Sequence, residues 1–199
     1  MPAKTVHLAM YPTLADWETG FATAFLAQHG YGVKTVGLTA DPVTTMGGLR
    51  ILPDLALGDL DASDSSLLIL PGAQLFDQGD ELAPFTAVAR RFVEAGVPVA
   101  AICGATLGLA KEGLLDDRAH TSAVSFYLAA SGYQGGGHYA EADAVTSADG
   151  LVVTAGPTEP VAFAREIFAL LRVFEGDKLD AWYRLFHDSD PTAYEVLSA

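Results

Sequence analysis

The chain contains a single cysteine, Cys103, and it stands where a side chain can serve as a nucleophile. The apolar run 97–102 predicts a buried strand, and the run 106–112 predicts a helix that ends at Gly113. Cys103 lies at the turn between the two. The pattern therefore predicts a strand, a sharp turn and a helix that together present a thiol at the carboxyl edge of a sheet.

The residues around Cys103 are small, as such a turn requires. Ala101, Gly104 and Ala105 give the pattern of the Gly-x-Ser-x-Gly nucleophile elbow, with Cys for Ser and Ala for both outer glycines. The N-terminus of the following helix would lie near the sulfur, where its dipole favours the thiolate. We therefore expect a lowered pKa for Cys103. A buried core cysteine is the alternative interpretation.

Two further segments belong to the same sheet edge. Glu18 follows the first predicted strand, residues 5–11, in the first turns of a helix predicted to begin at Thr13. Active sites of open α/β sheets gather at this edge, although a solvated first-turn acid is the simpler reading. The turn 71–73 follows the predicted strand 66–70. The backbone N–H groups of this turn could face an oxyanion. The alternative interpretation is an ordinary turn at the end of the strand.

Composition excludes several classes of protein. The chain has 199 residues, half of them hydrophobic, and a net charge of −14, which disfavours binding to nucleic acids and anionic membranes. No long apolar run predicts a membrane span, and the N-terminus does not resemble a signal peptide. One cysteine excludes a disulfide framework and zinc sites of the Cys-x-x-Cys type. We expect a cytoplasmic protein.

Predicted strands and helices alternate along the chain, which indicates one α/β domain over residues 1–199 with a mostly parallel central sheet. The segment 177–199 is expected to form a helical extension. It places Trp182, Tyr183 and Phe186 at helical spacing. This aromatic stripe is expected to pack against the body of the protein or against a partner subunit.

Taken together, four stretches of residues 4–175 resemble the ThiJ/PfpI superfamily, and the ending resembles a bacterial subgroup labelled type 1 glutamine amidotransferase-like. The stretches are Asp16-Trp-Glu18, Leu70-Pro-Gly-Ala73, Ala101-Ile-Cys-Gly-Ala105 with Gly113-Leu-Leu-Asp116, and Gly136-Gly-His-Tyr139 with Asp149-Gly-Leu-Val-Val-Thr154. The resemblance implies a class I glutamine amidotransferase-like fold, which is a flavodoxin-like three-layer sandwich. It also implies a homodimer.

The resemblance further implies roles for individual residues. Cys103 would be the elbow nucleophile and Glu18 the acid beside it, with no metal or cofactor. Because an ionised neighbour raises the pKa of a thiol, Glu18 would assist a thiolate only by holding the proton itself. Oxyanion or substrate contacts would come from Gly72, Ala73 and Gly104, the N–H groups of the last two being the donors.

The chain also departs from its apparent relatives. Proteolytic members carry a histidine directly after the cysteine, where this chain has Gly104, and this disfavours a protease. True glutamine amidotransferases use a late His-x-Glu, whereas this chain offers Gly156-Pro-Thr-Glu-Pro160. Other members place a histidine on the strand after the elbow helix. His120 lies in that predicted strand, about two residues before the position at which those members carry their histidine. It is the candidate base.

Three hypotheses for the function follow from these observations. The first is a cofactor-free enzyme in which Cys103 attacks a small reactive carbonyl compound, in glyoxalase-type or hydratase-type chemistry, with help from Glu18. The second is a redox-sensing or stress-protective protein in which Cys103 is oxidised. The third is an amidotransferase-like scaffold without activity.

Overall fold

The computed structural model describes residues 4–199, and a sheet of parallel strands lies at its centre. In chain order the strands are β1 (Thr5–Met10), β2 (Gly32–Gly37), β3 (Val43–Thr44), β4 (Arg50–Ile51), β5 (Leu55–Ala56), β6 (Leu67–Leu70), β7 (Val99–Ile102), β8 (Ala144–Thr146) and β9 (Val152–Ala155). The helices of these residues are α1 (Gly20–Gln28), α2 (Ala83–Glu94), α3 (Gly104–Lys111), α4 (Ser125–Ala129), α5 (Pro160–Leu171), α6 (Asp177–His187) and α7 (Ala193–Ser198).

The central sheet has seven strands in the order β5-β2-β1-β6-β7-β9-β8. All neighbours are parallel except β8, which runs antiparallel to β9. The five inner strands have the flavodoxin-like order, in which the chain changes direction across the sheet between β1 and β6. This confirms the predicted fold class, and it places the turns after β1, β6 and β7 beside one another.

Burial on both faces explains the sequences of the inner strands. β6, β7 and β9 are completely buried, so they are continuous apolar runs rather than alternating ones. Among the helices that cover the sheet, α1 packs against α5, and α2 packs against α3. The short strands β3 and β4 form a separate antiparallel hairpin, which turns at Gly47–Gly48.

The aromatic residues of α6 pack inside this chain. Trp182 is fully buried, and its ring centroid lies 4.8 Å from Phe168, 5.3 Å from Phe25 and 5.1 Å from Phe186. The contacts with Phe168 and Phe25 are edge-to-face, and such contacts are favourable beyond the area they bury. The stripe therefore packs against the body of the protein, and it does not supply the exposed interface that a homodimer was expected to use. The homodimer stays a prediction.

Two predicted elements are wrong, and both lie near the site. The helix predicted to begin at Thr13 begins only at Gly20. Hydrogen bonds to other parts of the chain hold the residues before Gly20 in a non-helical conformation. Thr13 has a φ of 64° and its N–H donates to Thr44, while the N–H of Ala15 donates to Gly72. The strand predicted around His120 is a single bridge.

Within residues 4–199, no helix has both the length and the apolar character needed to cross a membrane.

Candidate active site

Cys103 occupies the predicted elbow between β7 and α3. Its backbone has a φ of 57° and a ψ of −127°, a conformation that costs a residue other than glycine on the order of 1–3 kcal/mol. Hydrogen bonds on both sides hold it there. The N–H of Cys103 donates to the Ala155 carbonyl at 3.0 Å, and its carbonyl accepts from the N–H and the hydroxyl of Thr106 at 3.1 and 2.6 Å. These hydrogen bonds therefore maintain the strained backbone conformation of Cys103 at the elbow.

Close packing explains the small residue after the nucleophile. A Cβ placed on Gly104 would lie 3.1 Å from the Ala73 carbonyl oxygen and 3.4 Å from Phe76. Any larger side chain would push away the turn after β6. Gly104 therefore lets that turn approach the elbow closely.

Glu18 lies beside the cysteine in a completely buried position. Its Oε2 accepts a hydrogen bond of 2.5 Å from the N–H of Gly72. Its Oε1 has no hydrogen-bond partner of regular geometry within residues 4–199 and is left to interact with the Cys103 thiol. This pair confirms that Glu18 and Cys103 come together, although Glu18 stands in a turn before α1 rather than on it.

Gly72 fills the space between these two side chains. A Cβ on Gly72 would lie 2.7 Å from the Cβ of Cys103 and 2.9 Å from both carboxylate oxygens of Glu18. Because real Cβ contacts are longer, the pair meets only around a glycine. Gly72 therefore leaves space for the Glu18 side chain and binds it through its N–H group.

We expect Gly72→Ala to lower the free energy of unfolding by about 1–3 kcal/mol, because overpacking a full core forces its neighbours to move. The carboxylate and the thiol would separate as a result. Urea unfolding measures the loss, and Gly58→Ala is the matched control because a Cβ there meets nothing within 4 Å. Equal stability of the two variants would contradict the steric role of Gly72.

Burial controls the titration of the pair. It raises the pKa of Glu18 to about 7, against a hydrogen bond from Gly72 that lowers it. Burial, and then the charge of Glu18, raise the pKa of Cys103 to about 12, although the N–H of Gly104 lowers it. The expected lowered pKa of the cysteine is therefore wrong, because desolvation outweighs the helix N-terminus. At neutral pH the thiol holds its proton, and Glu18 is poised to accept it.

The backbone donors expected for an oxyanion are only partly available. The N–H of Gly72 is bound to Glu18 and is not a free donor, and the resemblance assigns the oxyanion to the N–H groups of Ala73 and Gly104. The N–H groups of Ala73 and Gly104 have no backbone acceptor in the described part of the chain. Gly104 begins α3, where the first N–H groups of a helix are unpaired. These two groups are the remaining backbone donors of the site, and the N–H of Gly104 also interacts with the Cys103 sulfur.

A cavity of about 280 Å³ opens over the cysteine. Its apolar and small walls comprise Ala15, Trp17, Met46, Gly72, Ala73, Gly104 and Ala123, and its polar groups belong to Glu18, Gln74, Asp77, Cys103 and Tyr127. A larger cavity of about 800 Å³, between α5 and α6, shares none of these residues. The small cavity, which contains Cys103, is the candidate active site.

Sequence reasoning missed Trp17, Met46, Asp77 and Tyr127. Trp17 is 51% exposed at the cavity, and its indole N–H donates to the Pro157 carbonyl. Tyr127 donates to Asp77 at 2.7 Å across the cavity wall. Trp17 stands in the Asp16-Trp-Glu18 stretch, whereas no motif marks Met46, Asp77 or Tyr127, because they come from three separate segments that only the folded chain brings together.

His120 is not part of the cavity, and the role of base does not fit it. Its Nδ1 lies 2.7 Å from the Arg118 carbonyl oxygen and its Nε2 lies 3.2 Å from the Tyr133 hydroxyl. The ring is fully buried between Tyr133 and Tyr139. Burial also lowers the pKa of His120. With both nitrogens engaged, the imidazole has a structural role.

The geometry agrees with comparisons to known proteins. The model of the DJ-1/PfpI family matches residues 4–170. A Bacillus subtilis protein named uncharacterized protease YoaZ is 36% identical over 201 residues, which cover 96% of this chain and 94% of that protein. The Caenorhabditis elegans protein named glutathione-independent glyoxalase DJR-1.2 is 26% identical over 146 residues, covering 73% of this chain and 76% of that protein.

A solved structure extends the comparison to three dimensions. The crystal structure of the thiJ/pfpI family protein from Bacillus anthracis superposes with a TM-score of 0.91 at 35% identity, and the match covers 98% of this chain and 95% of that one. The sequence match and this superposition span nearly the whole chain. The chain therefore belongs to the DJ-1/PfpI family.

Proposed function

We propose that this protein is a cysteine-dependent enzyme that converts small α-oxoaldehydes to 2-hydroxy acids. The observation that carries the proposal is the contact between the Cys103 thiol and Glu18, whose pKa of about 7 suits a general base at neutral pH. The name of the Caenorhabditis elegans relative, a glyoxalase that acts without glutathione, supports the same chemistry. A protein thiol would take the place of the thiol cofactor.

The first step is addition of the thiol to the aldehyde. Cys103 Sγ forms a bond to the aldehyde carbon while the Glu18 carboxylate takes the thiol proton. The N–H groups of Ala73 and Gly104 stabilise the resulting alkoxide. Glu18 then returns the proton to this oxygen, which leaves a neutral hemithioacetal on Cys103.

The second step is an internal redox rearrangement that needs no external oxidant. Glu18 removes the hydrogen of the former aldehyde carbon as a proton, and the electron pair forms an enediolate. Glu18 returns the proton to the neighbouring carbon, and the hydroxyl proton of the former aldehyde carbon passes to the oxygen of that neighbour. The second carbonyl is thereby reduced to a hydroxyl while the former aldehyde carbon becomes a thioester. Water then hydrolyses the thioester, which releases the 2-hydroxy acid and restores the thiol.

The site supports the alternatives less well. Within residues 4–199 the cavity has no histidine to serve a protease or a glutaminase, and Gly104 stands where proteolytic relatives were expected to carry one. A redox-sensing cysteine reacts with oxidants as the thiolate. Burial raises the pKa of Cys103 and so disfavours the thiolate. The protonated thiol with an adjacent base therefore favours an enzyme that activates its nucleophile only during reaction.

Proton NMR of the purified protein with methylglyoxal or glyoxal tests this proposal. We expect the aldehyde signals to be replaced by those of the 2-hydroxy acid. The matched control is protein alkylated at its single cysteine with iodoacetamide, which blocks the thiol. Equal conversion by the native and the alkylated protein would contradict the proposal.

A further inference from the structure

Hydrolysis of the thioester requires a base that meets water, and Glu18, although it lines the cavity, has no exposure to solvent. Resting on the function proposed above, we propose that Asp77 is the general base for this water and that Tyr127 positions it. Both residues line the cavity that contains Cys103. The inference assigns a second carboxylate to the site, on the side that faces solvent.

The backbone places Asp77 close to the reacting carbon. Asp77 ends the 3₁₀ turn Gln74–Asp77, which directly follows the oxyanion donor Ala73. The neighbouring Phe76 is buried, and a Cβ on Gly108 of α3 would lie 2.8 Å from its ring, so the turn is packed firmly against the elbow helix. The carboxylate itself is exposed. It therefore combines a fixed backbone with access to water.

Tyr127 fixes the direction of that carboxylate. Its hydroxyl donates to Asp77 Oδ1 at 2.7 Å from helix α4. Burial, then the hydrogen bond to Asp77, raise the pKa of Tyr127, so the phenol keeps its proton and remains a donor. Asp77 Oδ2 has no protein partner within residues 4–199 and remains available to accept a proton from water.

Electrostatic coupling places both groups within range of the sulfur. The charge of Asp77 contributes to the raised pKa of Cys103, after burial and Glu18. Cys103 contributes in turn to the raised pKa of Tyr127, after burial and Asp77. The two carboxylates thus sit in different environments, one buried and one exposed. Such a difference is how sites assign separate proton transfers to two acids.

The proposed step balances its atoms and charges. Asp77 Oδ2 takes a proton from water as the water oxygen bonds to the thioester carbon, and the N–H groups of Ala73 and Gly104 stabilise the oxyanion. The C–S bond then breaks and its electron pair passes to Cys103 Sγ. Asp77 gives its proton to the sulfur, and the 2-hydroxy acid leaves.

The test compares Asp77→Asn with the unchanged protein in steady-state and single-turnover reactions with methylglyoxal. We expect kcat to fall about 10²-fold, the usual contribution of a general base, while formation of the first covalent adduct keeps its rate. The adduct should accumulate as a thioester. Intact mass after acid quenching detects it, and neutral hydroxylamine removes it, whereas a hemithioacetal dissociates on denaturation.

Two further variants sharpen the result. Tyr127→Phe keeps the ring and removes only the bond to Asp77, so we expect a smaller fall in kcat with the same thioester. Asp80→Asn is the matched control, because Asp80 is an exposed carboxylate three positions on that pairs with Lys111 outside the cavity. We expect no change in that variant.

Three outcomes would overturn the role of Asp77. They are an unchanged kcat in Asp77→Asn, a lowered kcat without a hydroxylamine-sensitive adduct, and an equal loss in the first and later turnovers. Failure of the proposed function has a different signature, since the unchanged protein would then form no 2-hydroxy acid more rapidly than its alkylated form.

Discussion

Cys103→Ala is expected to lower kcat/KM for an α-oxoaldehyde by on the order of 10³-fold or more, because the covalent intermediate can no longer form. Cys103→Ser is expected to lose nearly as much, because a hydroxyl is a far weaker nucleophile at the same position. Both variants keep the small side chain that the elbow requires. Steady-state kinetics with methylglyoxal measure the loss.

Folding is the control for these variants. The backbone at position 103 keeps its positive φ in either variant, so the strain of the elbow is common to all three proteins. We expect thermal unfolding midpoints to change little. Retention of more than about a tenth of the activity in Cys103→Ala would show that the cysteine is not the nucleophile.

Glu18→Gln is expected to change catalysis and cysteine reactivity in opposite directions. Loss of the base should lower kcat/KM by about 10²–10⁴-fold. Loss of the negative charge should lower the pKa of Cys103, because Glu18 is the second contribution that raises it after burial. Alkylation by iodoacetamide at a fixed pH should then become faster, by about tenfold for each unit of pKa. Slower alkylation would contradict this electrostatic arrangement.

The pH dependence of the proposed activity should follow from the same group. Glu18 must be ionised to act as a base, so kcat/KM should rise with pH through about 7 and fall below it. This inflection should be absent from Glu18→Gln. Glu94→Gln, which alters an exposed carboxylate at the end of α2, should keep it.

Stability should also depend on Glu18, with a defined sign. Its folded pKa of about 7 exceeds the ordinary value of 4.5, so the folded state binds the proton more tightly. Its protonation therefore stabilises the fold below pH 4.5, and this contribution is lost as pH rises to about 7. The loss amounts to about 3 kcal/mol. Glu18→Gln should be more stable than the native protein above pH 7 and should lose that advantage near pH 4.5.

The elbow and the sheet could be predicted from local sequence. The run 97–102 is apolar without interruption, as a strand buried on both faces must be, and the small residues around Cys103 mark a sharp turn before a helix. The hairpin at Gly47–Gly48 and the order of strands and helices follow from equally local patterns. Each of these features depends on residues that are neighbours in the chain.

Tertiary structure decided the rest of the site. Glu18 lies in a turn rather than a helix, because the segment before α1 bonds to the hairpin and to Gly72. His120 lies outside the cavity, because its ring packs against Tyr133 and Tyr139, which follow it in the chain. Asp77 and Tyr127 are separated by 50 positions and meet only in the folded protein.

The titration of Cys103 shows most clearly where sequence reasoning ends. A helix N-terminus can be recognised from the chain and favours the thiolate. Desolvation and the distance to Glu18 are properties of the packed interior, and they act more strongly in the opposite direction. The sequence by itself determined that the single cysteine stands at an elbow, together with the strand and helix that hold it. Only the tertiary structure decided which groups surround the sulfur and where its proton resides, because burial and charge separation arise when distant segments pack together.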